Sequence, residues 1–162
     1  MKIELRERTA GHVGIYWNKV QDEEIKRMLP IRAISLEEAL SMFERSLLPG
    51  AMSYGKVIYA DEEYVGDVWC YGIDEESEQS AMLSYTIFEK RLWGRGVATE
   101  VVALFLEDIF ERFNLNKVGA FTYEEHYASI KVLDKVGFKE IEAFEEAGVY
   151  SKYFEKKTPD KS

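Results

Sequence analysis

Gly94 and Gly96 stand among Lys90, Arg91 and Arg95, immediately before an apolar helical pattern that opens Val97-Ala98-Thr99. Each part of that arrangement suits a bulky anion. A residue without a side chain lets main chain approach the ligand closely. The first N–H groups of a helix have no intrahelical acceptor, and they carry the positive end of its dipole. Clustered cations add to the field in a chain whose net charge is −9. The chemistry this implies is a grip on a pyrophosphate. A glycine-softened turn without a ligand is the alternative that spacing alone leaves open. Other phosphate loops fit less well: a Rossmann fingerprint needs three glycines early in a βαβ unit, and a Walker loop needs Gly-Lys followed by Ser or Thr. Neither occurs here.

The elements that must hold this loop are legible on either side of it. Val97, Val101, Phe105, Ile109 and Phe113 form one ladder, and Val102, Leu106 and Phe110 another, so a helix over Val97–Phe113 should pack a wide face on a sheet. Before it, Ser53–Ala60, Tyr64–Ile73 and Ser80–Phe88 are rich in β-branched and aromatic residues and read as three antiparallel strands. The acidic Asp74–Glu78 segment joins two of them as a solvated loop, since its carboxylates lack a calcium-loop spacing, and no metal is expected. After the helix come a strand over Lys117–Tyr123, a helix over Tyr127–Val136 stopped by Gly137, and a hairpin over Phe138–Glu155 turning near Gly148. Toward the N-terminus, Asp22-Glu23-Glu24-Ile25 opens a short helix ended by Pro30. Ser35 with Glu38 makes a capping-box pattern for a second helix, whose stripe runs through Leu36, Ala39, Leu40, Phe43 and Leu47. Ile3–Thr9 is a further strand. The order after it is αα-βββ-α-β-α-ββ: a mixed α/β (α+β) layer, with a mostly antiparallel sheet of six or seven strands flanked by helices.

Composition limits the rest. At 162 residues and 46% hydrophobic the chain suits one core, and a single domain over 1–157 with a flexible tail over 158–162 is expected. No apolar run approaches the roughly 20 residues of a membrane span, and Met1-Lys2-Ile3-Glu4-Leu5-Arg6 is no signal peptide. Cys70 is the only cysteine, which points to a reducing, cytoplasmic setting and leaves no intrachain disulfide. Between Trp69 and Tyr71 it reads as a packed thiol. The acidic balance argues against nucleic acid, and it could serve solubility or attract a cationic amine.

The chain resembles the GNAT superfamily of N-acetyltransferases, whose acetyl-CoA loop follows Gln/Arg-x-x-Gly-x-Gly/Ala, met here by Arg91, Gly94 and Gly96. Trp93-Gly94-Arg95-Gly96-Val97-Ala98-Thr99-Glu100 is similar to the corresponding run of the ribosomal-protein (RimJ/RimL-like) branch. So is Ala128-Ser129-Ile130-Lys131-Val132-Leu133-Asp134-Lys135-Val136-Gly137-Phe138. Asp22-Glu23-Glu24-Ile25 and Gly148-Val149-Tyr150 fall where this branch has its first-helix acids and its Gly-x-Tyr hairpin.

The resemblance implies a fold in which the fourth and fifth strands splay apart and admit the pantetheine arm of acetyl-CoA. Ile87, Phe88 and Glu89 would line the gap, and the loop from Arg91 through Gly94, Arg95 and Gly96 to Val97, Ala98 and Thr99 would hold the pyrophosphate. A backbone N–H near Phe88 would polarise the thioester carbonyl. Many relatives place a tyrosine acid where this chain has Asp134, whereas the ribosomal-protein branch has a serine matched by Ser129, either a proton donor to the departing sulfur or a capping residue. His126 replaces the family's asparagine cofactor contact, and Lys131 would reach a phosphate or simply be a surface lysine. No carboxylate matches the family's strand-borne base, since Met82 or Leu83 occupies its place. Glu89 or Glu125 acting through water, or a weakly basic amine such as a protein N-terminus, would compensate. Tyr85, Tyr123, Tyr150 and Tyr153 either line an acceptor pocket or pack the core. The implied function is acetyl transfer from acetyl-CoA to a primary amine on a peptide N-terminus or a small molecule. The alternatives are a non-catalytic CoA-binding module or, last, an interaction domain without ligand. A homodimer is left open.

Overall fold

The computed structural model describes residues 1–29 and 35–159. In chain order they form β1 (Ile3–Glu7), α1 (Ala10–Lys19), α2 (Glu23–Met28), α3 (Leu36–Ser46), β2 (Ser53–Ala60), β3 (Glu63–Asp74), β4 (Ser80–Ile87), a 3-10 turn (Lys90–Leu92), α4 (Val97–Arg112), β5 (Lys117–Tyr123), α5 (Tyr127–Lys135), β6 (Lys139–Glu146) and β7 (Val149–Lys157). The strands make one sheet in the order β1-β2-β3-β4-β5-β7-β6. Every pairing is antiparallel except β4 with β5.

That parallel pairing is short. Ser80–Met82 pair with Lys117–Gly119, and there the ladder between the two strands stops, although β4 runs on beside β3 and β5 beside β7 as far as Tyr123. The splay expected of the fourth and fifth strands is therefore present, and it leaves one edge of β4 without a strand partner.

The two faces of the sheet are covered differently. On one, α4 buries Val97, Val101, Val102, Phe105, Leu106 and Ile109 in a core shared with Ile58, Val68, Cys70 and Leu83. At about 25 cal/mol per Å² of apolar surface removed from water, such side chains stabilise by roughly 1.5–3 kcal/mol each before entropy is counted, so α4 is the main anchor of the sheet. On the other face a smaller core joins Val20, Ile25, Leu29 and Phe88, with Tyr16, Tyr64 and Trp93 against it.

Under that second face lies a charged network. Asp67, 3% exposed, accepts from the Tyr64 hydroxyl and pairs with Arg8 Nη2 at 3.1 Å. Burial raises the Asp67 carboxyl above its usual range, against the pull of Arg8 and Tyr64. Arg8 lies over Gly55, where a Cβ would meet its Nη2 at 2.6 Å. Nearby, His12 is used at both ring nitrogens, Nδ1 at 3.0 Å from the Thr9 N–H and Nε2 at 2.9 Å from the Tyr59 hydroxyl.

Helix α1 has no counterpart in the sequence reading, which carries the first strand to Thr9. Gly11, Gly14, Val13, Ile15, Tyr16 and Trp17 are mediocre or poor helix formers. The helix starts instead from its cap: Thr9 Oγ1 accepts from the His12 N–H, and the His12 ring accepts from the Thr9 N–H. This is a capping box with histidine in the place usually held by Glu or Gln. Elsewhere the boundaries agree with expectation to within a residue or two. The β6–β7 turn uses Ala147 and Gly148, both at positive φ, 52° and 81°, as a two-residue hairpin requires. Ser35 caps α3 through the Glu38 N–H at 3.1 Å. The expected stop at Pro30 lies outside the described residues, as do residues 160–162 of the expected tail. Thr158 at the tail's start is tied down, its N–H donating to Asn116 O at 2.8 Å. Among the described residues no helix is long and apolar enough to cross a membrane.

Candidate active site

Where β4 and β5 part, a cavity of about 410 Å³ opens between the strands, bounded by α2, the glycine loop, the first turn of α4, and α5. Of the residues expected to bind the cofactor or to catalyse, Ile87, Gly94, Gly96, Val97, Ala98, Thr99, His126, Ser129 and Lys131 line it, and so does Tyr85 of the tyrosines weighed for an acceptor pocket; Phe88, Glu89, Arg91 and Arg95 do not.

The loop is built for close approach. Gly94 and Gly96 have φ of +73° and +80°, and no atom lies within 4 Å of the point where a side chain would begin on either. Conformation, rather than crowding, demands glycine at both, and the empty space beside them is open to a ligand. Gly96 occupies the N-cap of α4 without a capping side chain. The first helical bond runs from the Glu100 N–H to Gly96 O at 3.2 Å, which leaves the N–H groups of Val97, Ala98 and Thr99 without helical acceptors at the cavity wall. These features fit a diphosphate.

The cations divide into two sets. Lys90 lies 2.9 Å from both Asp22 and Glu24, and these contacts hold its ammonium pKa above the ordinary value. Arg91 pairs with Glu63 and lies 3.9 Å from Glu89. These two tie the loop to α2 and to the start of β3 rather than facing the cavity. Arg95 is exposed at the loop's tip, while Lys131 and Lys135 line the cavity from α5. Lys135 was missed in the sequence, although its place one helical turn beyond Lys131 was a usable signal. Trp93 was read only as part of a motif. Its indole N–H donates to Ile87 O at 2.8 Å and so pins the loop to the end of β4.

The free edge of β4 can be assigned residue by residue. The Phe88 N–H donates to Val65 O at 3.0 Å, so it points toward β3. Successive residues of a strand present their main-chain groups to opposite edges. Those of Leu83, Tyr85 and Ile87 therefore face the gap, consistent with Gln79 O accepting from the Asn116 N–H on that same side. The carbonyl-polarising donor sought at Phe88 is thus already engaged across the sheet, and its ring packs with Tyr16 and Tyr64. The N–H groups turned to the gap are those of Tyr85 and Ile87.

Three side chains meet inside the cavity. Ser129 Oγ, on the first turn of α5, lies 3.0 Å from the Tyr85 hydroxyl of β4 and 3.4 Å from His126 Nε2. Burial raises the Tyr85 phenol pKa, opposed by its bond to Ser129, and burial lowers that of His126. At neutral pH the trio is uncharged. Ser129 is buried and caps nothing, since α5 has His126 at its N-cap position with no side-chain capping bond.

No carboxylate lines the cavity among the described residues: Glu125 is exposed on the turn before α5, and Glu89 sits beside Arg91. Of the other tyrosines, Tyr153 donates to Glu155 at 2.7 Å and packs on Phe121, which reaches the cavity, while Tyr150 is exposed on the hairpin and Tyr123 is half-buried at the end of β5. Cys70 is fully buried, its thiol pushed up to about 12, and is inert packing.

Residues 2–139 match the acetyltransferase (GNAT) domain family. The chain is 26% identical over 140 residues to an uncharacterized N-acetyltransferase p20 of Bacillus licheniformis, covering 85% of this chain and 76% of that protein. Among solved structures, a RimL ribosomal L7/L12 alpha-N-protein acetyltransferase in complex with coenzyme A superposes with a TM-score of 0.82 at 16% identity, over 97% of this chain and 94% of the other. A spermidine N-acetyltransferase from Vibrio cholerae, in complex with CoA and spermine, gives 0.81 at 17% identity over 96% and 95%.

Proposed function

The chain belongs to the GNAT acetyltransferase domain family and is an acetyl-CoA-dependent N-acetyltransferase, and from that premise we propose that a primary amine attacks the thioester directly, in a ternary complex assembled between β4 and β5. The observation that carries this reading is the convergence on one cavity of three unengaged helix N–H groups, the unpaired edge of β4 and a buried hydroxyl. Gly94, Gly96, Val97, Ala98 and Thr99 hold the pyrophosphate, with Arg95, Lys131 and Lys135 around it. The edge at Tyr85 and Ile87 holds the pantetheine amides through the Tyr85 N–H and C=O and the Ile87 N–H, which strand pairing has left free, while Ile87 O already accepts from the Trp93 indole. An N–H on that edge stabilises the oxyanion, a kind of contact worth roughly 3 kcal/mol in other acyl transfers. Ser129 donates to the departing sulfur.

The acceptor amine must arrive neutral or lose its proton to water or to the neutral imidazole of His126, because the cavity wall offers no carboxylate among the described residues. A protein α-amine, with a pKa near 7.7–8.0, meets that condition more readily than a lysine-like amine near 10.4. Peptide N-termini are therefore the favoured acceptors, and small-molecule amines the second class to try. The setting is the cytoplasm, where acetyl-CoA is available and a lone cysteine stays reduced.

The test is thiol release from acetyl-CoA with a panel of N-terminal peptides, polyamines and aminoglycosides. Turnover is expected with at least one peptide. Gly96→Val places a β-branched residue at φ +80° and a side chain in the open approach to the first turn, and should raise the KM for acetyl-CoA about 100-fold or abolish binding. Unchanged affinity in that variant would remove the cradle from the reading.

A further inference from the structure

We propose that Tyr85 is a positioning residue for the reaction, its phenol O–H donating to Ser129 Oγ so that the serine's own proton is turned into the cavity toward the leaving sulfur. This deepens the reading above and rests on Ser129 serving the thiolate. Three observations support it. Tyr85 and Ser129 come from different elements, β4 and α5, and meet at 3.0 Å at the cavity wall. A phenol is the more acidic of the two hydroxyls, so in a shared bond it is the better donor and the alcohol the better acceptor. Burial keeps the phenol protonated, so its O–H stays available to donate beside the serine it meets at 3.0 Å. With one lone pair of Ser129 taken by Tyr85, its hydrogen has two remaining directions, the cavity or His126 Nε2. The latter is 3.4 Å away, beyond the optimum for a hydrogen bond.

The proton count closes without charging Tyr85. The C–S bond breaks with its electron pair on sulfur, and sulfur takes the Ser129 proton. The seryl oxygen is reprotonated through His126 by the proton that the acetylated amine has given up. Tyr85 ends as it began. Its function is to spare the serine a choice of rotamer at the moment of bond cleavage. The main-chain groups of Tyr85 already face the gap, so one residue sets both an edge donor and the serine's orientation.

The experiment is a double-mutant cycle on saturated kcat, with CoA affinity measured separately by calorimetry. Ser129→Ala should lower kcat about 100-fold, the lower range for a positioned acid. Tyr85→Phe keeps the ring and should lower kcat about tenfold, with the KM for acetyl-CoA and the Kd for CoA within about twofold of wild type. On the Ser129→Ala background, Tyr85→Phe should change nothing further, because the group it acts through is gone. Wild-type kcat in Tyr85→Phe, or effects that multiply in the double variant, overturns the proposal while leaving the acetyltransferase reading intact. Full activity in Ser129→Ala overturns the role on which it rests. A wild-type protein that binds CoA but releases no thiol with any acceptor overturns both.

Discussion

The chain's two histidines stand beside tyrosines on opposite faces of β3 and β4, and their surroundings differ in kind. His12 uses both ring nitrogens, its neighbours Tyr59 and Tyr64 stack with each other at 5.9 Å, and behind them the buried Asp67 pairs with a half-buried Arg8. No member of that group lines the cavity. His126, Ser129 and Tyr85 carry no charge at neutral pH, line the cavity, and keep hydrogen-bonding capacity in hand: one ring nitrogen of His126 and the proton of Ser129. In the first group the hydrogen-bonding capacity is spent save for Arg8 Nε, which is buried without a partner and away from the cavity, and such a network fixes structure. One with capacity left over, facing space, is ready to meet a substrate. Polarity and burial alone do not separate the two; unspent capacity at a cavity does.

The sharpest way to break this contrast is to remove the ion pair. Asp67→Ala leaves the half-buried Arg8 guanidinium without its carboxylate, a change whose cost should fall somewhat below the roughly 3–5 kcal/mol of fully buried pairs. Urea denaturation should show that loss as a lower midpoint at an unchanged slope. In the same variant, assayed at a temperature where it remains folded, kcat should stay within about threefold of wild type, an effect of at most about 0.7 kcal/mol. Asp67 lies opposite Thr86 in the sheet register, and Thr86 reaches the cavity. A larger loss of kcat would therefore move the charged group from scaffold into chemistry and end the distinction.

A smaller effect is expected at His12. His12→Ala deletes one half of the α1 capping box and the partner of the Tyr59 hydroxyl, together about 1–2 kcal/mol. Thermal unfolding should register it as a drop in Tm, with kcat and the KM for acetyl-CoA unmoved. A fall in kcat without a fall in Tm would contradict the assignment of this histidine to the fold.

How much of this was legible in the sequence follows from the range of the interactions. Gly94 and Gly96 could be read because their function is local: positive φ and an uncapped helix start are properties of adjacent residues. The α4 ladder and most strand limits were legible for the same reason. Lys90 and Arg91 were read as phosphate cations, but their partners Asp22, Glu24 and Glu63 lie 28 to 68 positions away in sequence and spend their charge on anchoring the loop. Tyr85 and Ser129 are 44 residues apart, and nothing at either position announces the other. Helix α1 stayed hidden because its residues favour other conformations and its cap uses a histidine. Edge polarity along β4 depends on a register with β3 that no local pattern specifies, which is why Phe88 seemed a donor to the cleft when its N–H serves β3.

The finest test of the contrast is pH. Burial lowers the pKa of both histidines below the ordinary 6.5, with the Arg8 charge adding to the effect at His12. The sign is fixed by which state takes the proton first. As pH falls below about 6.5 the unfolded chain protonates these rings before the folded one does, so the stability they contribute is complete above that pH and is lost on acidification toward their folded values. His12→Asn and His126→Asn should each flatten the acid side of a Tm-against-pH curve by a modest amount, and similarly. Activity should separate them. The kcat profile of His12→Asn should keep the wild-type shape, whereas His126→Asn should lose whatever inflection the wild type shows below pH 6.5, since only His126 faces the hydroxyl that serves the sulfur. Matching profiles in the two variants would mean that the spare nitrogen of His126 is idle, and that unspent hydrogen-bonding capacity beside a cavity is not by itself a mark of chemistry in this protein.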